Sequence, residues 1–338
     1  MSPKLSTHVV ASDDDGIRLD RWFRRHFPVL GHGALQKLLR TGQVRVNGKR
    51  AEASTRVEAG QDIRVPPAAT AVPSVSAIIE KKSAKKISTV PRALRDADQL
   101  KKYVLFEDDD VIVLNKPAGL AVQGGTGLKE NIDDMLAVFE HRKHGKPKLV
   151  HRLDRDTSGV LLVARSASVA AKLSESFRNR STQKIYWAIT CGVPLPEQGR
   201  IEAPLIKKGE LMTIAKGKAD MEEAKNAITL YQVMESAKRL AAFVAMWPIT
   251  GRTHQLRVHM AAVLGTPLLG DPLYGGTAPD GFPIDETGQG LHLHARRLII
   301  PHPRHGVIDV TAPLGKEILK TWRWFGFEQD ADADFSEA

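Results

Sequence analysis

Val150 to Gly159 reads VHRLDRDTSG, and Val160 to Ala164, directly after it, reads VLLVA. The first stretch packs His151, Arg152, Asp154, Arg155 and Asp156 into six residues. A turn does not need that many charges. The second is an unbroken apolar run of the kind a buried strand shows. The charges therefore sit on a loop that feeds a strand. Asp156, followed by Thr-Ser-Gly, suits a turn cap, which leaves Asp154 for chemistry. Arginines beside a carboxylate favour its ionised form, and a positioned carboxylate is a nucleophile or a base. On composition alone, both aspartates serving as turn caps is an equal alternative.

Outward from this loop the pattern alternates short strands with a few helices. Val111–Leu114 and Leu161–Ala164 read as buried strands. Ile185–Thr190, Leu240–Met246 and Leu298–Ile300 read as further ones, and Ala170–Phe177 fits a helix. Pro, Gly and Asp punctuate the rest, as in Gly270-Asp271-Pro272 and Tyr274-Gly275-Gly276. The expected fold class is α+β, with a mixed, mostly antiparallel sheet and flanking helices over residues 98–327. The acidic end from Glu328, EQDADADFSEA, is expected to be disordered.

Residues 17–65 form a separate small α/β module. Leu19, Trp22, Phe23 and Phe27 recur at helical spacing up to Pro28, and Ala34, Leu35, Leu38 and Leu39 form a second stripe. Val44-Arg45-Val46 followed by Asn47-Gly48 is a hairpin signal, and Ile63–Val65 is a further strand. The module holds eleven Lys/Arg against four acidic residues. That surplus suits a polyanion, with Arg18, Arg21, Lys37, Arg40, Arg45, Lys49 and Arg50 as the candidate contacts. Residues 1–16 are expected to be flexible. Residues 66–97, rich in Pro, Ala, Ser and Lys, read as a linker.

The loop also carries a resemblance. HRLDRDTSG is similar to the signature of the RluA-type family of pseudouridine synthases, whose aspartate matches Asp154. Four more blocks follow the family's order across roughly residues 98–315. They are Asn115–Gly119 with Val122–Gly125, Lys184–Ala188, Thr250–Met260 and Leu291–Ala295. NKPAGLAVQGG and TQKIY resemble the RluC-type subgroup more than the RluD-type. The basic module resembles the RNA-binding domain of ribosomal protein S four, through Arg18-Leu19-Asp20, Leu38-Leu39 and Val44–Lys49.

The resemblance implies an enzyme that isomerises specific uridines in structured RNA, most of all 23S ribosomal RNA. It implies Asp154, Tyr186 and Arg252 as catalytic residues, with Arg257 as second choice for the arginine paired with Asp154. Substrate contacts are expected from Lys116, His151, Arg152, Arg155, Thr157, His254, Arg257 and Leu293. Asp154 either attacks C1′ or removes the C2′ proton, and the sequence leaves both routes open. The reaction is redox-neutral, so no cofactor is expected. The histidines near these blocks lack the carboxylate or cysteine spacing of a metal site, and no metal is expected.

Composition narrows the alternatives. The net charge of +10 fits a nucleic acid or an anionic surface. Cys191 is the single cysteine, so an intrachain disulfide is excluded and a reducing cytoplasm fits. The first sixteen residues lack the apolar run of a secretion signal, and no apolar run reaches membrane-spanning length. A monomer without an obligate protein partner is expected. Two rivals remain: a non-catalytic RNA-binding assembly protein, which needs the module but not Asp154, Tyr186 and Arg252 together, and a glycosidase, which needs two carboxylates across the bond.

Overall fold

The computed structural model describes residues 6–27, 30, 32–67, 97–124, 130–179, 181–278, 282–283 and 286–335. The expected linker lies almost entirely outside them. The N-terminal module opens with β1 (Ser6–Val9), followed by α1 (Leu19–His26) and α2 (His32–Arg40). It closes with β2 (Arg45–Val46), β3 (Lys49–Arg50) and β4 (Asp62–Val65), in the sheet order β1-β4-β2-β3. Asn47 and Gly48 both have positive φ (47° and 74°), as the two-residue turn between β2 and β3 requires. Leu19, Trp22 and Phe23 of α1 bury against Leu35, Leu38, Val44, Ile63 and Val65. Within the stretch expected to be flexible, Ser6–Val9 pairs antiparallel with β4 along its whole length.

The larger domain runs through β5 (Val104–Glu107), β6 (Val111–Lys116), α3 (Ile132–Met135), β7 (Lys148–Leu149), β8 (Ser158–Ala164) and α4 (Ala167–Arg178). It continues with β9 (Gln183–Cys191), β10 (Gln198–Glu202), the ribbon β11 (Leu205–Lys208) and β12 (Leu211–Ile214), and α5 (Gly217–Glu223). Then come β13 (Ile228–Ala237), β14 (Ala241–Pro248), α6 (Gln255–Val258), β15 (Leu293–Pro301), β16 (Val307–Thr311) and α7 (Lys316–Phe325). One ten-stranded sheet has the order β10-β13-β14-β9-β15-β8-β6-β5, with β16 on β15 and β7 on β8. Among the described strands of this sheet, only β15 and β8 pair in parallel. The architecture is α+β on a mixed, mostly antiparallel sheet.

The apolar runs are explained by burial on both faces. Alternate residues of β6 and β8 enter opposite cores. Ile112, Leu114, Leu161 and Val163 meet Leu120, Ile132 and Leu136. Val111, Val113, Val160 and Leu162 meet Val169 and Leu173 of α4. Ser166 caps α4 by accepting from the Val169 N–H. Across the sheet, Trp322 of α7 stacks on Trp187 of β9 at 5.8 Å, and Phe243 fills the angle between them. Gly159 (φ 109°) lies where β8 passes β15: a Cβ there would sit 2.2 Å from the Ala295 carbonyl oxygen. The residue after the signature aspartate block must therefore lack a side chain.

The acidic end also departs from expectation. Residues 328–335 pack back on the sheet, where Phe335 is buried beside Trp247 and Asp332 approaches Arg297. Apolar residues among the acids, Phe335 above all, provide the anchor that the charge count hid. Arg21, expected on RNA, is instead committed to the larger domain. It donates to the Gly326 carbonyl and pairs with Glu328 at 2.6 Å. Arg25 reaches Glu235 at 2.7 Å. Helix α1 thus docks the module onto the end of α7 and onto β13.

Candidate active site

A cleft of about 620 Å³ opens beside the loop before β8. Most of its lining comes from the signature loop (Arg152, Asp154, Thr157), α4, β9 (Lys184, Tyr186), and the loop after β14 with α6 (Arg252, His254, Arg257). Leu293 of β15 closes it with an apolar side chain. Asp154 is the one carboxylate in this lining. The loop bends where the Thr157 N–H donates to the Asp154 carbonyl. Lys116 braces it from behind, donating to the carbonyls of Pro117, Leu120 and Arg155 at 2.8–2.9 Å. Three acceptors match the three donors of an ammonium.

The arginine facing Asp154 is Arg257, and this corrects the pairing expected for Arg252. Arg257 Nη1 lies 4.0 Å from Asp154 Oδ2, and His254 Nε2 lies 3.9 Å from the same oxygen. Arg252 is exposed on the cleft rim, its Nε donating to the Asn226 carbonyl. The reason lies in α6. Gln255 accepts from the Thr250 hydroxyl and the Arg252 N–H and donates to the Ile228 carbonyl. That knot fixes the loop with residue 252 outward, while position 257, on α6, faces the interior.

Arg257 is held by a second carboxylate. Its Nε and Nη2 donate to the two oxygens of Asp271 at 2.7 Å each, and the Asp271 side chain has no exposure. The backbone N–H groups of Leu273 and Tyr274 donate to Asp271 as well. Burial alone would lower the Arg257 pKa, but the Asp271 bonds, aided by the Asp154 charge, leave it raised. The Tyr274 ring lies 5.1 Å from the guanidinium, and its hydroxyl meets His254 Nδ1 at 2.8 Å. His254 itself has φ 52°, a left-handed conformation that few non-glycine residues adopt. Burial lowers its pKa, with Asp154 opposing. Asp271 and Tyr274 were read in the sequence only as loop punctuation. A lone acid within an otherwise apolar stretch, Thr266 to Tyr274, was the available signal.

Tyr186 lies on β9 beside Asp154. Burial, then the Asp154 charge, raises its phenol pKa, so it stays protonated. Thr157 is buried, and its hydroxyl has no hydrogen-bond partner among the described residues. His151 accepts from the Leu162 N–H and lies against Phe177; burial holds it neutral, at about 3. Lys116 is fully buried and Arg155 pairs with Asp156 on the exposed side. Neither lines the cleft, so the substrate contacts expected of them are corrected to structural ones. His292 and His294 are consumed by Thr321, Ser158 and backbone carbonyls. Among the described residues, His, Cys, Asp and Glu form no group of three suited to a metal. No described helix is long and apolar enough to cross a membrane.

Residues 110–262 match the family model described as RNA pseudouridylate synthase. The "Ribosomal large subunit pseudouridine synthase C" of Rickettsia bellii is 39% identical over 289 residues, spanning 84% of this chain and 89% of that protein. The chain belongs to the RNA pseudouridylate synthase family. The Salmonella typhi protein named "Ribosomal large subunit pseudouridine synthase C" is 34% identical over 327 residues, 94% of this chain and 96% of its own. Among solved structures, human RNA pseudouridylate synthase domain containing 4 superposes with a TM-score of 0.58 at 30% identity, covering 69% of this chain and 96% of that one. As a pseudouridine synthase, the protein converts uridine to pseudouridine in RNA. The N1–C1′ bond breaks, uracil turns, and C5 joins C1′. C5 loses a proton and N1 gains one, with no redox change.

Proposed function

We propose that this pseudouridine synthase modifies uridines of large-subunit ribosomal RNA, with Asp154 acting on the ribose of a flipped-out nucleotide. The observation that carries the catalytic assignment is the cleft itself. Its one carboxylate sits between Arg257 and His254, in the same cavity as Tyr186 and Leu293. A stacked uridine cannot present C1′ to a carboxylate, so the base leaves the helix at a cost of a few kcal/mol. The freed uracil lies on Tyr186 and Leu293. Tyr186, protonated, contributes a stacking face and a hydroxyl donor. Arg257 orients the Asp154 carboxyl while Asp271 holds Arg257. The buried Thr157 hydroxyl is free to donate to the nucleotide.

Arg152 and Arg252 on the exposed rim meet the RNA strand. Arg18, Lys37, Arg40, Lys49 and Arg50 are exposed on the module, and Arg45 is half-buried beside them. These cations bind the phosphates of the flanking RNA, and that energy offsets base flipping. The ribosomal substrate rests on the names of the relatives, and the cytoplasm follows as its location. The protein acts as a monomer.

The test is Asp154→Asn. The variant is expected to make no pseudouridine in a ribosomal RNA fragment, while binding that RNA within about threefold of wild type. Turnover at the normal rate refutes the role of Asp154. Mapping pseudouridine in ribosomal RNA with and without the gene tests the substrate.

A further inference from the structure

The cleft does not end at the Asp154 pocket. Its lining also includes Phe177 and Arg178 of α4, Lys184 of β9, and Arg252. Lys184 precedes Tyr186 by two residues, so both point from the same face of β9, about 7 Å apart along the strand. Lys184 as a residue is half-buried. Among the described residues no carboxylate lies within ion-pair distance of it. Burial brings its pKa down to about 8, and its charge helps to hold His151 neutral. Around it the lining carries Arg152, Arg178 and Arg252, all exposed, and no acid but Asp154.

A partly desolvated cation without a counter-charge is costly in the free protein. An anion that enters the cleft removes that cost, and the arginines at the rim hold the same sign of field over it. We infer that Lys184 binds a backbone phosphate next to the target ribose, placing the nucleotide so that its base falls on Tyr186. This rests on the proposed function but adds a site to it. The step of about 7 Å from Tyr186 to Lys184 along the strand is of the size of the step from a nucleotide's base to its own phosphate. A lysine, a compact point charge, suits a single phosphate oxygen. The site therefore reads the register of the RNA strand and not the identity of a neighbouring base.

The experiment pairs Lys184→Gln and Lys184→Arg with two RNAs, each with one phosphate flanking the target uridine replaced by a neutral methylphosphonate. Lys184→Gln is expected to raise KM about tenfold with kcat within twofold, and Lys184→Arg to restore most of it. At one of the two flanking positions, the neutral linkage weakens wild-type binding about tenfold and leaves Lys184→Gln unchanged. Binding is also measured in the Asp154→Asn background, so the phosphate contact is read independently of the chemistry. Wild-type binding indifferent to both linkages overturns the site, whatever the variants do. So does a Lys184→Gln variant that loses kcat at unchanged KM, since that places Lys184 in the chemical step. Equal, additive losses from the mutation and from both linkages overturn it as well.

Discussion

Replacing Asp271 tests whether a buried ion pair, not Asp154 itself, sets the catalytic geometry. Arg257 and Asp271 have side-chain exposures of 3% and 0% and share two hydrogen bonds of 2.7 Å. Asp271→Leu leaves the guanidinium buried without its counter-charge, which costs about 3–5 kcal/mol. In a domain of this size each kcal/mol moves Tm by about 2–4 °C, so a drop of about 6–20 °C is expected. Arg257→Met leaves the opposite charge stranded and is expected to cost a similar amount. The double variant removes both charges and should cost no more than about 2 kcal/mol, giving a coupling of about 4–8 kcal/mol in a double-mutant cycle. It recovers stability without recovering activity. In Asp271→Asn, Arg257 is no longer clamped and turns toward Asp154, now 4.0 Å away. The expected fall in kcat is about a hundredfold, or about 2.7 kcal/mol of barrier. Thermal melts of the four proteins of the cycle and single-turnover assays of wild type and Asp271→Asn give both numbers. A coupling near zero, or Asp271→Asn with normal kcat, refutes the reasoning.

Two further outcomes separate neighbouring roles. Arg252→Ala should raise KM a few-fold with kcat nearly intact, whereas Arg257→Ala should cost kcat about a hundredfold; steady-state kinetics showing the reverse ranking would return the catalytic role to Arg252. His292 and His294, almost fully buried, are held at about 4 by burial. In the unfolded chain they titrate near 6.5. Between those values the unfolded state binds more protons, so stability falls as pH drops below about 6.5. From pH 7 to 5.5 the two together should remove about 2–3 kcal/mol, read by urea melts; an unchanged midpoint would show that they are not neutral in the fold.

Residues 150–164 carried much of the reading. The apolar run of β8 and the charged loop before it are local patterns, and local patterns survive in sequence. So do the Asn47-Gly48 hairpin, the stripe of α1 and the helix of α4. The strand periods gave the fold class because side chains alternate whether or not the partner strand is known. Arg252 and Arg257 were harder, since both lie in one basic block, and only the Thr250–Gln255 knot decides which one turns inward.

The order of chemical groups along the chain therefore carried the family and the fold class, and it named the carboxylate that is proposed as catalytic. What it left open was which distant groups meet. Asp271, Tyr274 and Lys184 acquire meaning only when β9, α6 and the loop after it converge on Asp154. Arg21 and Phe335 change role because α1 meets the end of α7 across 305 residues of sequence and the acidic end folds back onto Trp247 of β14. Hydrophobic periodicity and turn chemistry act over a few residues and can be read there. Ion pairing and desolvation depend on through-space distance and dielectric, which exist only in the folded molecule.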